Sequence, residues 1–596
     1  MPESDKALLD RFNSAVSAVE ERWRHLSVPA ERIATKHLAK YRKHEAAVGW
    51  RIPIAFSDQT RRVDVFVTRG FPFVPARIAL VDRPDFLTWP HIEKDGVLCL
   101  LPAHGTVSVD DPYGAIAGLL KMAYDLIEGF MWGDYDGEFR AEFLSYWSNS
   151  AKAQDRTILS LIEPVPPSRS IKVWEGRKRI VIADDSERLD HWLKNFNPGL
   201  PSPERRLRNG VLVWLDEVPL PSEYPKTARD VYAVAARAGL SDLLDELARE
   251  VPDRMFVALG AMTENGPAVV ATVIRRPPIV RGNDPLSRGF RPSRVPEPVF
   301  HARFFGGDPV GKNVVERVDA GWIHGRDHDP RLATLQNATV AMLGCGSVGA
   351  PVAINLAHAG IRKLILVDQE NLKGANVGRH PLGVRSIDSP KASELARRLR
   401  IDLPHLEVES YVSKVQALLL QSGGPLENVD LIVSALGDWP SESMLDEWHA
   451  ANGKPFPIVY GWTEPYAAAG HAVIVTPSAG RLTDGLNSAG QPHLVATQWA
   501  EDTRKYEPAC GAAFEPYGPV ELGFVTSLIS QAALDSLLGS IGTATHRIWL
   551  ARRSVFESAG GQWSQAIRLI APHALDGGTI LERRWGQLLT TKVRAA

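Results

Sequence analysis

At 596 residues, with 44% hydrophobic and 23% charged residues, the chain has an ordinary globular composition and is too long for a single core. A formal charge of −2 gives no electrostatic case for nucleic acid or an anionic membrane, and no apolar run is long enough to span a bilayer. Three cysteines exclude a disulfide scaffold and a four-cysteine zinc site. An acidic, amphipathic start in place of a secretory leader fits a cytoplasmic protein with no direct nucleic-acid or membrane partner.

Apolar residues recur at helical spacing over residues 4–26, among them Leu8, Leu9, Phe12, Ala15, Val16 and Val19. Strand patterns follow over 48–54, 62–67 and 76–81, then a helix over 112–132 and another ending near Trp147. Between the strands and the long helix lies Trp89-Pro-His-Ile-Glu-Lys-Asp-Gly-Val-Leu-Cys-Leu100, preceded by the turn Gly70-Phe-Pro-Phe-Val-Pro75. Taken alone, Cys99 in an apolar Val-Leu-Cys-Leu-Leu run reads as a packed core cysteine. In their order, these elements resemble a ubiquitin-conjugating domain over most of residues 1–155. The resemblance implies that Cys99 carries a thioester. It also puts His91 in the slot of the asparagine in that family's His-Pro-Asn motif, where an imidazole N–H can stabilise an oxyanion or the ring can act as a base.

A proline-rich break, Glu163-Pro-Val-Pro-Pro167, closes this part. The middle third has strand patterns at 179–183 and 210–215, one amphipathic helix predicted over 228–250, and a Pro-, Arg- and Gly-rich connector over 275–298. It carries no catalytic constellation. Beyond about Val314 strands and helices alternate as in a doubly wound sheet. The expected organisation is a multi-domain α/β protein: an α+β conjugating-like domain over 1–160, a mixed α/β linker domain over 161–313, and a Rossmann-like domain over 314–596.

The densest signal lies in that last part. The strand Thr339-Val-Ala-Met-Leu343 runs into Gly344-Cys-Gly-Ser-Val-Gly349, a helical pattern follows, and a second strand, 363–367, ends at Asp368. In this context Gly344 allows a tight turn, Gly346 lets the backbone approach a phosphate, and Gly349 permits close helix–strand packing. Helix N-terminal amides face the anion, and Asp368 can accept from ribose hydroxyls. A dinucleotide-dependent oxidoreductase is the default for such a motif, but it leaves Asn376, Arg379 and Lys391 without a task. Two cations and an amide suit a triphosphate whose α-phosphorus is attacked, and Asp438, at the end of a strand predicted over 429–435, can hold Mg²⁺.

Asp368-Gln-Glu-Asn-Leu-Lys-Gly-Ala-Asn376-Val-Gly-Arg379 resembles the signature of the ThiF-type adenylating domain shared by ubiquitin-activating enzymes. That resemblance implies that ATP adenylates the C-terminal carboxylate of a partner protein. Asp368 then holds ribose, Asn376, Arg379 and Lys391 hold phosphates, and Asp438 holds the metal. His380 stands where the family usually has glutamine, and the CxxC pairs of many relatives are missing, so no zinc site is expected. Cys510, in the loop-like Tyr506-Glu-Pro-Ala-Cys-Gly-Ala-Ala513, falls where such enzymes carry their activating cysteine.

A conjugating domain, a linker and one adenylating domain in this order resemble the fusion enzymes of CBASS antiphage systems. This implies transfer of the acyl group from Cys510 to Cys99 and then to an amine-bearing target. It further implies a cGAS-like nucleotidyltransferase as acyl donor, and a homodimer in which Arg326 or Arg331 reaches across. The rival readings are an NAD-dependent oxidoreductase and a non-catalytic scaffold retaining both folds.

Overall fold

The computed structural model describes residues 3–100, 108–133, 135–151, 156–199, 207–279, 284–291, 294–451, 453–476, 479–506 and 513–587; Cys510 lies outside them. By packing the chain forms two compact units, Met1–Thr157 with Pro164–Ser170 and Asn209–Val315, and Ile158–Glu163 with Ile171–Arg208 and Glu316–Ala596. Residues 161–313 contribute to both.

In the first unit, the helix Glu3–His25 and the helix Pro112–Trp132 pack on an antiparallel meander of Glu31–Arg32, Val48–Ala55, Thr60–Val67 and Arg77–Leu80. Phe12, Val16, Val19 and Trp23 fall on one helical stripe and bury against Trp50, Ile52, Val63 and Val65, with Ile116, Leu119 and Ile127 from the second helix. The long helix starts where the sequence predicts, because Asp111 accepts from Gly114 N–H at 2.9 Å and Pro112 needs no donor there. On the other face of the meander Asp64 is buried. It is satisfied by Tyr41 O–H at 2.8 Å and by two Arg51 N–H donors at 2.7 and 2.9 Å.

A second core of this unit joins the hairpin Arg254–Thr263/Gly266–Arg275 and the strand Leu207–Leu215, which runs parallel to Arg254–Thr263. The crossover between these parallel strands differs from the single predicted helix. Helix Ala228–Arg237 ends and helix Ser241–Glu250 begins around Gly239, whose φ is 76°. Gly239 N–H bonds to Ala236 O and Leu240 N–H to Ala235 O, both at 3.0 Å, a left-handed helix end that an amphipathic pattern alone does not reveal. The short helices Asp136–Ala141 and Phe143–Ser150 pack here too: Phe139, Phe143, Tyr146 and Trp147 lie among Val211, Val231, Leu244 and Val257.

The second unit holds an eight-stranded sheet in the order Glu407–Tyr411, Lys363–Val367, Thr339–Leu343, Leu431–Ser434, Ile458–Thr463, Ala469–Val475, Thr545–Leu550, Thr579–Arg584. The first five strands are parallel and the rest antiparallel. The chain leaves Thr339–Leu343 towards one side and later returns to pair on its other side, so the end of this strand is a topological switch point, the usual place for a ligand in such sheets. Alternate residues feed cores on both faces, Val340 and Met342 on one and Ala341 and Leu343 on the other.

A histidine pair ties the helix Ala320–Gly325 to the turn after the helix Lys391–Asp402. His324 Nδ1–H donates to His358 O at 3.0 Å, so its Nε2 is the acceptor for His405 Nε2–H at 2.7 Å. Burial lowers the pKa of both rings, that of His405 to about 3, with His324 adding to the shift. A ring whose folded pKa lies below its unfolded value of 6.5 takes up a proton on unfolding. Its stabilisation is therefore complete above that value and is lost as the pH falls towards 3. Urea unfolding between pH 7 and 5 is expected to show a steeper loss of stability in the wild type than in His405→Leu. The difference is bounded by one proton, about 1.4 kcal/mol per pH unit. Equal slopes would mean that the pair is uncoupled from folding.

Candidate active sites

At the switch point of the second unit the three glycines meet three different demands. Gly344 has φ 87°, and a Cβ there would lie 2.7 Å from Ala435 O. A Cβ on Gly349 would fall 1.9 Å from Gly344 O and 2.9 Å from Met342 Cε, so only hydrogen fits beneath the helix Gly349–His358. Gly346 faces open space, with nothing within 4 Å of a Cβ.

The loop is fastened from both sides. Cys345 N–H donates to Asp368 Oδ2 at 2.7 Å, and Asp368 Oδ1 accepts from Glu370 N–H at 2.7 Å. His380 Nδ1 accepts from Leu382 N–H at 3.1 Å, which leaves Nε2–H to donate to Cys345 O at 2.8 Å. Burial lowers the His380 pKa and keeps the ring neutral, and burial likewise pushes the Cys345 thiol far up, so that cysteine is inert packing.

Arg379 reaches the same place. Its guanidinium lies 5.2 Å from the Tyr517 ring centre, its Nε is buried without a hydrogen-bond partner among the described residues, and it lines a cavity of about 270 Å³ with Pro351, His380, Pro519 and Thr526. Tyr517 Oη is 2.8 Å from Ser347 Oγ in the glycine loop. Lys391 is buried, and its Nζ pairs with the exposed Glu370 at 2.6 Å. Asn376 accepts from Lys373 N–H at 3.1 Å through Oδ1 in a short turn. Asp438 Oδ2 accepts from Ser441 N–H at 3.1 Å and from Ser441 O–H, which caps the helix Trp439–Ala451. One turn on, Glu442 accepts from Ser434 O–H at 2.9 Å; burial raises its pKa to about 7, and Asp438 adds to the shift. Sequence reasoning missed Ser347, Tyr517, Glu370 and Glu442. Ser347 and Glu370 stand at variable positions inside the glycine loop and the Asp368–Arg379 segment, Glu442 and Tyr517 stand outside both, and Tyr517 lies 170 residues from its partner.

These features suit a nucleotide: a buried Arg379 nitrogen unpartnered among the described residues, a loop with open space at Gly346, and a lysine held by an acid that can yield. Asp438 with Glu442 offers the oxygen ligands that Mg²⁺ prefers.

In the first unit, residues 91–99 fold back beside the strand Arg77–Leu80. Leu98 N–H bonds to Ile78 O and Leu80 N–H to Gly96 O, both at 2.8 Å. Gly96 has φ 92°, and a Cβ there would sit 2.4 Å from Leu80 O. Cys99 N–H bonds to His91 O at 2.9 Å, so the two predicted residues are neighbours. Cys99 is exposed; protein around its sulfur still raises the thiol pKa, and Glu93 and Glu142 raise it further. His91 is left-handed, with φ 54°, a conformation that costs a β-carbon residue about 1 kcal/mol or more. Its N–H donates to Tyr146 Oη at 3.0 Å, and its ring Nε2 lies 2.8 Å from Glu138 Oε2.

Residues 21–155 match the family described as Prokaryotic E2 family B, and residues 325–559 match the ThiF family. The ATP-dependent ubiquitin transferase-like protein Cap2 of Pseudomonas aeruginosa (strain BWHPSA011 / Pa011) is 28% identical over 427 residues, 68% of this chain and 72% of that protein. Ubiquitin-like modifier-activating enzyme 5 of Bombyx mori is 26% identical over 221 residues, 36% of this chain. Those residues make up 53% of that relative, about half its length. Among solved structures, E. coli MccB with ATP aligns with a TM-score of 0.29 and 15% identity, over 44% of this chain and 68% of that one.

The glycine geometry separates packing from ligand access. Gly349→Ala is expected to cost more than about 2 kcal/mol in urea unfolding, because the added carbon meets backbone that cannot move aside. Gly346→Ala is expected to stay within about 0.5 kcal/mol of wild type, since the carbon enters open space. Equal costs at the two positions would contradict the geometry described.

Proposed function

Since the chain joins a domain of prokaryotic E2 family B to a ThiF-family domain, we propose that it is a combined activating and conjugating enzyme working on protein substrates. The observation that carries the activating half is the buried Nε of Arg379, unpartnered among the described residues, on a guanidinium that lies over the ring of Tyr517, whose hydroxyl meets Ser347 of the glycine loop. A buried guanidinium nitrogen that lacks an acceptor gains one once a phosphate enters.

A carboxylate oxygen at the partner's C-terminus attacks the α-phosphorus of ATP, and pyrophosphate leaves. The backbone at Gly346 permits close approach, while Arg379 and Lys391 neutralise the charge that gathers on the phosphates; Lys391 gives up Glu370 to do so. Asn376 adds an amide donor, and Asp368, already anchored by its backbone bonds, takes the ribose hydroxyls with its remaining lone pairs. Mg²⁺, when bound at Asp438, would neutralise phosphate charge.

The Cys510 thiolate then attacks the acyl carbon and AMP leaves. Cys99 takes the acyl group by thioester exchange. An amine attacks that thioester beside His91, and the cysteine leaves as thiolate. ATP is needed because a free carboxylate does not acylate an amine, whereas a thioester does.

The donor in this reading is a cGAS-like nucleotidyltransferase, primed for antiphage signalling of the CBASS kind in the cytoplasm by a homodimeric enzyme. The likeness to Cap2, an ATP-dependent ubiquitin transferase-like protein, supports ATP-dependent conjugation; the donor and the dimer rest on the order of the domains. Among the described residues no helix is long and apolar enough to cross a membrane.

With a cGAS-like donor, Arg379→Ala is expected to lower ATP–pyrophosphate exchange about 10²–10³-fold. Cys510→Ala should retain exchange but form no thiol-sensitive adduct. Cys99→Ala should retain the adduct on Cys510 and block transfer to the amine. Hydride transfer to or from a nicotinamide without pyrophosphate release would instead support the oxidoreductase, and function unaltered in both cysteine variants would support the scaffold.

A further inference from the structure

Cys99 and His91 sit on the fold-back segment, but the groups facing His91 come from elsewhere. Glu138, Glu142 and Tyr146 lie on the helices Asp136–Ala141 and Phe143–Ser150, or on the residue joining them, and those helices pack into the middle core of the first unit. Tyr146 Oη receives the His91 N–H at 3.0 Å and donates its own proton to Glu142 Oε2 at 3.2 Å. The phenol thus holds the strained His91 backbone and sets Glu142 beside it. Glu138 Oε2, at 2.8 Å, takes the Nε2 side of the ring.

The other ring nitrogen is placed differently. His91 Nδ1 is 3.8 Å from Glu142 Oε2, too far for a hydrogen bond. Two acceptors at that separation can both bond to one nitrogen lying about 2.8 Å from each. The His91 side chain is 22% exposed and those of Glu138 and Glu142 are 49% and 46% exposed, so an acceptor can enter from solvent. Cys99 N–H bonds to His91 O at 2.9 Å, and the charge of Glu142 raises the thiol pKa, so this gap belongs to the surroundings of Cys99.

We propose that His91 Nδ1 and Glu142 form a subsite for the primary amine that attacks the Cys99 thioester, with Glu138 as a positioning residue that holds His91 through Nε2. The inference rests on the conjugating role proposed for Cys99. A lysine-type ammonium docks on the Glu142 carboxylate and gives up one proton to solvent there; the neutral amine nitrogen then bonds to the acyl carbon while His91 Nδ1 takes its second proton. The carbon–sulfur bond breaks, Cys99 leaves as thiolate, and the proton on His91 returns to it. The products are an amide, a free thiol and the one proton released to solvent, with no other reactant consumed.

The test uses the full chain carrying Cys510→Ala, so that Cys99 is the accessible thiol. A glycyl thioester of mercaptoethanesulfonate acylates it, and discharge is followed in single turnover with L-lysine and with hydroxylamine, which is largely unprotonated at neutral pH. Glu138→Gln is expected to lower the maximal rate with lysine about 10²-fold, the scale of lost general-base catalysis, and to leave hydroxylamine within about 2-fold. Glu142→Gln is expected to raise the lysine concentration at half-maximal rate about 10-fold with a smaller change in maximal rate. Glu138→Asp should restore part of the lysine rate. Parallel losses with both nucleophiles, or no loss with either, would overturn the subsite while leaving Cys99 as thioester carrier. Failure of Cys99 to accept the acyl group under conditions where free cysteine does would overturn the conjugating role and the subsite together.

Discussion

The hydrogen bond from Cys345 N–H to the Asp368 carboxylate is the constraint on which the nucleotide-type site depends. It locks the glycine loop to the end of the neighbouring strand, while the carbonyl of the same residue, in the next peptide group, accepts from His380. The segment from Asp368 to His380 is thereby closed on itself, and Arg379, next to His380, is delivered to the loop that a phosphate would enter. Both ends of this link are buried or half-buried, so the donor and acceptor would be costly to leave unpaired. This also accounts for histidine at position 380. A neutral ring with one donor and one acceptor satisfies Leu382 N–H and Cys345 O together.

In the first unit the comparable constraint is the grip of Tyr146 on His91. A left-handed histidine survives only where its surroundings over-determine it, and here the backbone donor and Nε2 both have partners on helices of the middle core. The family match over residues 21–155 includes these helices, yet they bury Phe139, Phe143 and Trp147 away from the core of the meander. The geometry beside Cys99 therefore rides on the packing of the middle sheet.

A buried carboxylate elsewhere in the second unit is satisfied in the same way. Glu464 accepts from Ala496 N–H at 2.6 Å, from Thr497 N–H at 2.7 Å and from His471 at 2.9 Å, and His471 in turn meets His546 at 2.9 Å. Those bonds hold the Glu464 pKa below its usual value despite burial. They pin the chain at Ala496 and Thr497, upstream of the segment that carries Cys510.

The sequence by itself determined the glycine loop and its surroundings, the long helices, the meander and the pairing of His91 with Cys99. The reason is that these are local matters: a positive φ at Gly344, a missing Cβ at Gly349, an Asp111–Pro112 start, a helical or alternating period. The helix predicted over 228–250 failed at Gly239 because amphipathic spacing continues across a left-handed glycine that ends one helix just before the next begins. Only the tertiary structure decided that Tyr517 meets Ser347 and Arg379, that Glu442 is driven towards neutral pKa, and that Glu138, Glu142 and Tyr146 surround His91. An acid on a polar helix face looks like any solvated charge until packing turns that face towards a ring in a distant part of the chain, and such turns are set by the burial of Phe139, Phe143 and Trp147, not by the spacing of the acids themselves.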